Sequence, residues 1–77
     1  MVMSLEELAP GQTGVVVGFG GGHGMAAKLD AMGLRSGKTV RKLSAQILAG
    51  PVTVLVDGRQ VAMGRGIARK VLVETAG

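Results

Sequence analysis

Cysteine is absent from the 77 residues, which excludes a disulfide framework, a thiolate metal site and a thiol nucleophile and agrees with a reducing compartment. Tryptophan and tyrosine are absent too, and Phe19 is the only aromatic residue. The stacking platforms that hold single-stranded nucleic acid are therefore missing. No run approaches the ~20 apolar residues needed to span a bilayer, and the N-terminus lacks the basic segment followed by an apolar stretch that marks a secretory signal. Residues 1–27 contain no Lys or Arg. These absences lead to an expectation of a soluble, cytoplasmic protein, peripheral at most to a membrane.

What is present is short and apolar. At 77 residues the chain is expected to form one domain, residues 1–77, and a two-domain enzyme is excluded. A chain of this size buries only about 60% of the surface of its unfolded form, so its core is small. With 47% hydrophobic and 18% charged residues it is far from the composition of a disordered segment. Val, Leu, Ala and Met supply the apolar content, alongside 14 glycines. The cations Lys28, Arg35, Lys38, Arg41, Lys42, Arg59, Arg65, Arg69 and Lys70 give a net charge of +4 and make everything after residue 27 basic. Such a bias serves either solubility or an acidic partner.

Ser4 followed by Glu7 is the reciprocal pairing that caps a helix start, and a one-turn helix is expected before Pro10-Gly11. In Thr13–Phe19, Val15, Val17 and Phe19 alternate with Gly14, Val16 and Gly18, the period-2 pattern of a strand with one buried face. Gly20-Gly21-Gly22-His23-Gly24 breaks that strand. Met25, Leu29 and Met32 then recur at helical spacing among alanines, with Gly33 placed for a left-handed C-terminal cap. Strands are expected again over Thr39–Gln46, over Val52–Val56, over Arg59–Met63 after the Asp57-Gly58 hairpin, and over Lys70–Glu74 after an interruption at Gly64-Arg65-Gly66. Five short strands with one small helix between the first and second indicate a mainly β, partly open small barrel.

Two motifs invite a nucleotide and fail on geometry. Gly33-Leu34-Arg35-Ser36-Gly37-Lys38-Thr39 is one residue short of a P-loop and follows a helix instead of a strand. Gly22-His23-Gly24-Met25-Ala26-Ala27 fits the relaxed dinucleotide fingerprint, but no Asp or Glu occurs between Asp30 and Asp57 to hold a ribose. His23 is the only histidine and the sole candidate metal ligand; no second ligand lies at helical or strand spacing from it, so neither a metal site nor a cofactor is expected. Glu6 and Glu7 are adjacent and do not face one another, and no Ser-His-Asp set exists, so no catalytic residue is expected.

Leu5-Glu6-Glu7-Leu8-Ala9-Pro10-Gly11, Gly14-Val15-Val16, Lys28 through Gly37, Gly50-Pro51-Val52, Val61-Ala62-Met63 and Ala68 through Val73 together resemble the ferrous iron transport protein A (FeoA) family, in the right order and over nearly the whole chain. The segment Leu29–Gly37, with Met-Gly-Leu followed by a glycine, carries most of the likeness. Lys28 stands where the family usually has Arg, Ser36 replaces a usual Pro and Gly64 a usual basic residue. The resemblance implies an SH3-like barrel. It also implies a non-enzymatic cytosolic accessory protein of ferrous iron uptake that contacts the membrane ferrous iron transporter carrying a GTP-binding domain.

A small barrel cannot enclose Met25, Leu29 and Met32 together with ease. The expected partner-binding residues are accordingly Gly22, His23, Met25, Lys28, Leu29, Met32, Leu34 and Arg35, an apolar patch rimmed by cations. Positive charge there would repel ferrous ion and favour an acidic protein surface. Three other readings follow from the same features: a basic barrel binding nucleic acid, a metal carrier using His23, and a relative of the C-terminal barrel of iron-dependent repressors. The last would need an upstream DNA-binding region, and a barrel filling the chain from Met1 to Gly77 points to the free-standing form.

Overall fold

Alternating valines and tight glycine turns leave this chain little choice but short antiparallel strands. The computed structural model describes residues 1–45 and 50–76. In chain order the elements are β1 (Val2–Ser4), β2 (Thr13–Phe19), α1 (Gly22–Ala31), β3 (Thr39–Ala45), β4 (Val52–Val56), β5 (Arg59–Met63), α2 (Arg65–Ala68) and β6 (Val71–Glu74). The six strands form one antiparallel sheet in the order β1-β6-β2-β3-β4-β5. Among the described residues no pairing joins β1 to β5, so the sheet curls without closing, in keeping with the partly open barrel expected from the sequence.

Three differences from the sequence reading have physical causes. β1 was missed because three residues carry too little pattern; it forms by adding to β6, with Val2 opposite Glu74 and Ser4 opposite Leu72. The turn after it uses the anticipated caps: the Ser4 N–H donates to the Glu7 Oε1 at 2.9 Å and the Glu7 N–H to the Ser4 Oγ at 3.3 Å, and one turn is made before Pro10, as expected. α2 arises where Gly64-Arg65-Gly66 read as an interruption, because Ala68 is buried and Arg69 reaches back to the Glu6 carboxylate at 2.9 Å. α1 begins at Gly22 and takes in part of the glycine run. The end of the expected strand at Gln46 lies outside the described residues.

Other elements follow the expectation closely. Asp57 and Gly58 both adopt positive φ, 51° and 75°, as the hairpin between β4 and β5 requires. Gly33, at φ 83°, supplies the left-handed end of α1, where the Leu34 N–H donates to the Leu29 carbonyl at 2.9 Å.

The core is aliphatic. Leu5, Leu8, Val16, Leu29, Leu34, Val40, Val52, Val54, Val56, Met63, Ala68, Val71 and Val73 make one buried cluster, each large member contributing about 1.5–3 kcal/mol. In β2 the buried residues are Gly14 and Val16, while Val15 and Val17 point outward. Gly14 is needed there because a Cβ would lie 3.0 Å from the Val73 side chain. One charge shares the inner face: Lys42, opposite Val54 on β4, is only 2% exposed and donates from Nζ to the Glu6 carbonyl at 2.7 Å. Burial holds its ammonium below the ordinary lysine range, with the Arg65 charge adding to the effect and Glu6 opposing it.

Candidate functional site

α1 carries the residues the sequence singled out and divides them. Leu29 faces the sheet and is fully buried, and Leu34, just past the helix, is buried as well. Both are core residues: with only one aromatic side chain available, aliphatic side chains such as these fill the inner face, and Leu29 leaves no surface for a partner to touch. Met25 and Met32 are half-buried and pack against the core, whereas Gly22, Lys28 and Arg35 are exposed. His23 sits in the first turn of α1. Within the glycine run only Gly21 and Gly22 have left-handed φ, 100° and 81°. They turn the chain from β2 into the helix, under the stem of Lys70, whose Cδ would lie 3.2 Å from a Cβ on Gly21.

The opposite flank of α1 opens a groove the sequence did not reveal. It has a volume of about 450 Å³ and is lined by Phe19, Ala26, Ala27, Asp30, Leu34, Arg35 and Ser36. Phe19 from the end of β2, the two small alanines of α1 and the buried Leu34 border it. At its rim the Arg35 Nε donates to the Asp30 Oδ1 at 2.6 Å, an exposed and therefore weak pair. Of the expected partner-binding residues only Leu34 and Arg35 line this groove. The signal that could have found it was the Ala26-Ala27 pair: small side chains on a short helix next to the one aromatic residue leave room for something larger.

Electrostatically the site belongs to a surface with spare positive charge. All five carboxylates are engaged: Glu6 with Arg69 and Arg65, Glu7 with the Ser4 N–H, Asp30 with Arg35, Asp57 with Lys38 at 2.9 Å, and Glu74 with the N-terminal ammonium at 3.5 Å. Lys28, Arg41, Arg59 and Lys70 have no carboxylate partner among the described residues. Arg59 lies beside Gly33, at the carbonyl end of α1, where a cation is favoured. No group of three or more His, Asp or Glu side chains gathers among the described residues. None of their helices is long and apolar enough to cross a membrane.

A mainly β sheet of this order, curled over an aliphatic core with one helix between β2 and β3, defines a small SH3-like domain. The FeoA domain model matches residues 3–75, and the chain belongs to the FeoA family, whose business is ferrous iron transport. A Methanocaldococcus jannaschii protein provisionally named Fe(2+) transport protein A is 33% identical over 66 residues, covering 86% of this chain and 78% of that one. The crystal structure of an iron uptake regulatory protein (FeoA) superposes with a TM-score of 0.90 at 39% identity and covers 99% of both chains. A manganese-dependent transcriptional repressor superposes with a TM-score of 0.87 at 22% identity; it shares the fold over 97% of this chain, which spans 42% of that one.

Proposed function

We propose that this chain is a single-domain, non-enzymatic accessory protein of ferrous iron uptake. It works in the cytoplasm, by contact with the membrane ferrous iron transporter that carries a GTP-binding domain. Membership of the FeoA family supplies the process. The observation that favours contact over chemistry is the groove beside α1: an apolar trough whose two charged lining residues, Asp30 and Arg35, are paired with each other at the rim, which is the make-up of a docking site. Its two alanines leave room for a leucine- or phenylalanine-sized side chain from the partner, while Lys28 and Arg35 would meet acidic residues around it. Iron, on this reading, is the transporter's cargo and is not held here.

The test is a titration of isotope-labelled protein with the soluble GTP-binding domain of the transporter at physiological salt, followed by NMR. Localised shifts at Phe19, Ala26, Ala27, Asp30 and Ser36 are expected, and Ala27→Gln, which fills the groove, should abolish them while leaving the fold intact. Shifts that vanish at physiological salt, or that fall elsewhere, would count against this site. The repressor likeness favours a second reading, a regulatory module of the repressor type, in which the same groove takes a segment of a DNA-binding protein. It predicts no response to the GTP-binding domain.

A further inference from the structure

An open sheet has two edges, and each edge is a row of backbone N–H and C=O groups ready to pair with another strand. Here the edges are β1 and β5. On β1 the bonds joining Met1 to Thr75 and Leu5 to Val71 direct Met1, Met3 and Leu5 at β6 and turn Val2 and Ser4 outward. Ser4 is used up by the turn that follows: its N–H donates to the Glu7 Oε1, and its carbonyl accepts from the N–H groups of Glu7 and Leu8. Only Val2 is left on that edge. β5 keeps more. The two-residue turn Asp57-Gly58 makes Val56 and Arg59 the first hydrogen-bonded pair of the hairpin, so Arg59, Val61 and Met63 point their backbone groups at β4. The N–H and C=O groups of Gln60 and Ala62 point away from it and have no partner among the described residues. Both residues are exposed. Little blunts this edge: the β4–β5 register runs unbroken from Val52–Met63 to Val56–Arg59, whereas β2–β6 and β3–β4 each carry a bulge, and β5 contains no Pro.

What fits this edge is the same edge turned round. A two-fold axis perpendicular to the sheet and just outside Val61 sets β5 of a second copy antiparallel and side by side with the first, so that the two sheets continue into one another. Gln60 of each copy then lies opposite Ala62 of the other, and each such pair exchanges both of its N–H···O bonds. The two Val61 residues meet at the axis as a non-hydrogen-bonded pair, the kind in which side chains come closest. Val61 is half-buried and already packs against the core, so the apolar row Val54–Val61 runs on into its counterpart. On the outer face Gln60 stands beside the small Ala62. The one charge of the strand, Arg59, faces Met63 of the other copy, and the two arginines are about 13 Å apart along the strands, so no like charges are opposed. A disordered peptide would gain the same backbone bonds but has to be ordered first, whereas a second β5 is already held in shape by β4.

We propose that the free edge of β5 seats β5 of a second copy of this chain, in a two-fold dimer whose sheets join through Gln60 and Ala62. An isologous contact requires residue i to meet j while j meets i, which this register supplies. One pair of short strands buries less than the ~800 Å² per partner of a standard interface, so the dimer is weak and forms at high concentration. None of the residues lining the groove beside α1 takes part, and the dimer does not depend on what that groove binds.

The test is sedimentation equilibrium from about 10 µM to about 1 mM, where weak interfaces of this size dissociate, with amide hydrogen exchange followed by NMR at both ends of that range. The mass of the unmodified chain should rise toward that of two chains. At high concentration exchange at Gln60 and Ala62 should slow several-fold while exchange at Val2, on the other edge, does not change. Ala62→Pro deletes an N–H that no bond within the chain uses, a substitution an edge strand tolerates. It should weaken association about tenfold or more with the thermal melt of the dilute chain unchanged. The double variants Gln60→Lys/Ala62→Lys and Gln60→Glu/Ala62→Glu each set like charges opposite one another and should stay monomeric. Mixed in equal amounts they set opposite charges in both pairs and should associate, an outcome no loss of folding can mimic. A chain that stays monomeric throughout overturns the proposal, as does association without protection of Gln60 and Ala62 or a mixture no more associated than its components.

Discussion

The two halves of the sheet share an inner face and differ on the outer one. On β3, β4 and β5 the residues turned away from the core include Thr39, Arg41, Thr53, Leu55, Gln60 and Ala62, with Arg41, Leu55 and Gln60 in one cross-strand row and Thr53 opposite Ala62, and this half also hides Lys42 within. On β1, β6 and β2 the residues turned away are Val2, Leu72, Val15 and Val17 together with Ser4, Thr13 and Glu74, and four of these seven are large exposed hydrophobics. One half therefore mixes polar and apolar residues outside and draws a polar group inward, while the other carries the more exposed valines and leucine. The contrast teaches that apolar content in a small chain is not all spent on its own core. With Leu29, Leu34 and the valines of the inner face filling the core, aliphatic residues left outside are concentrated on three adjacent strands instead of being scattered.

Substitutions on successive residues of one strand break the comparison most sharply. Val73→Asp, inside β6, places an unpaired charge in the core and should destabilise the chain by more than about 3 kcal/mol, enough to leave it largely unfolded by circular dichroism. Leu29→Ala removes the helix's anchor and should cost about 2–5 kcal/mol in urea denaturation. Gly14→Val presses into Val73 from the neighbouring strand and should cost about 1–3 kcal/mol by the same measurement. Leu72→Asp, one residue from Val73 but outside, should stay within about 0.5 kcal/mol of the unmodified chain at low concentration. A large loss there would mean that the outer face is part of the core after all.

The smallest effect concerns the lysine on the other half. Since burial makes Lys42 release its proton more readily in the folded chain than in the unfolded one, its contribution to stability rises with pH between its lowered folded value and 10.5. Below that window the buried ammonium costs stability. Lys42→Met removes the slope, so any advantage of the variant at pH 7 should shrink as the pH is raised toward 10, read from urea midpoints of both proteins. The neutral amine still donates to the Glu6 carbonyl, so the strand pairing should survive.

Much of this architecture was legible in the residues. Thr13–Phe19, Val52–Val56 and Arg59–Met63 carry period-2 patterns bounded by turn residues, and Asp57-Gly58 and Gly33 specify their own backbone geometry. β1 and α2 were not legible, because each is held by distant partners: β1 by β6 from the other end of the chain, α2 by the Glu6 carboxylate and a buried Ala68. The candidate site was legible only in part. Helical spacing put Met25, Leu29 and Met32 on one face, but that face turned out to be the inward one, and the groove opened beside Ala26 and Ala27, where the only signal was a pair of small residues on a short helix.

By itself the sequence determined the class of protein: a small, aliphatic, cysteine-free, mainly β module with a basic second half and the ordered motifs of the FeoA family. These follow from composition, turn chemistry and local periodicity, which act over a few residues. Only the tertiary structure decided which valines are inside, where the groove lies and which cations are left unpaired. Those depend on strand register and on which elements meet across the sheet, and a shift of one residue in a strand exchanges its two faces.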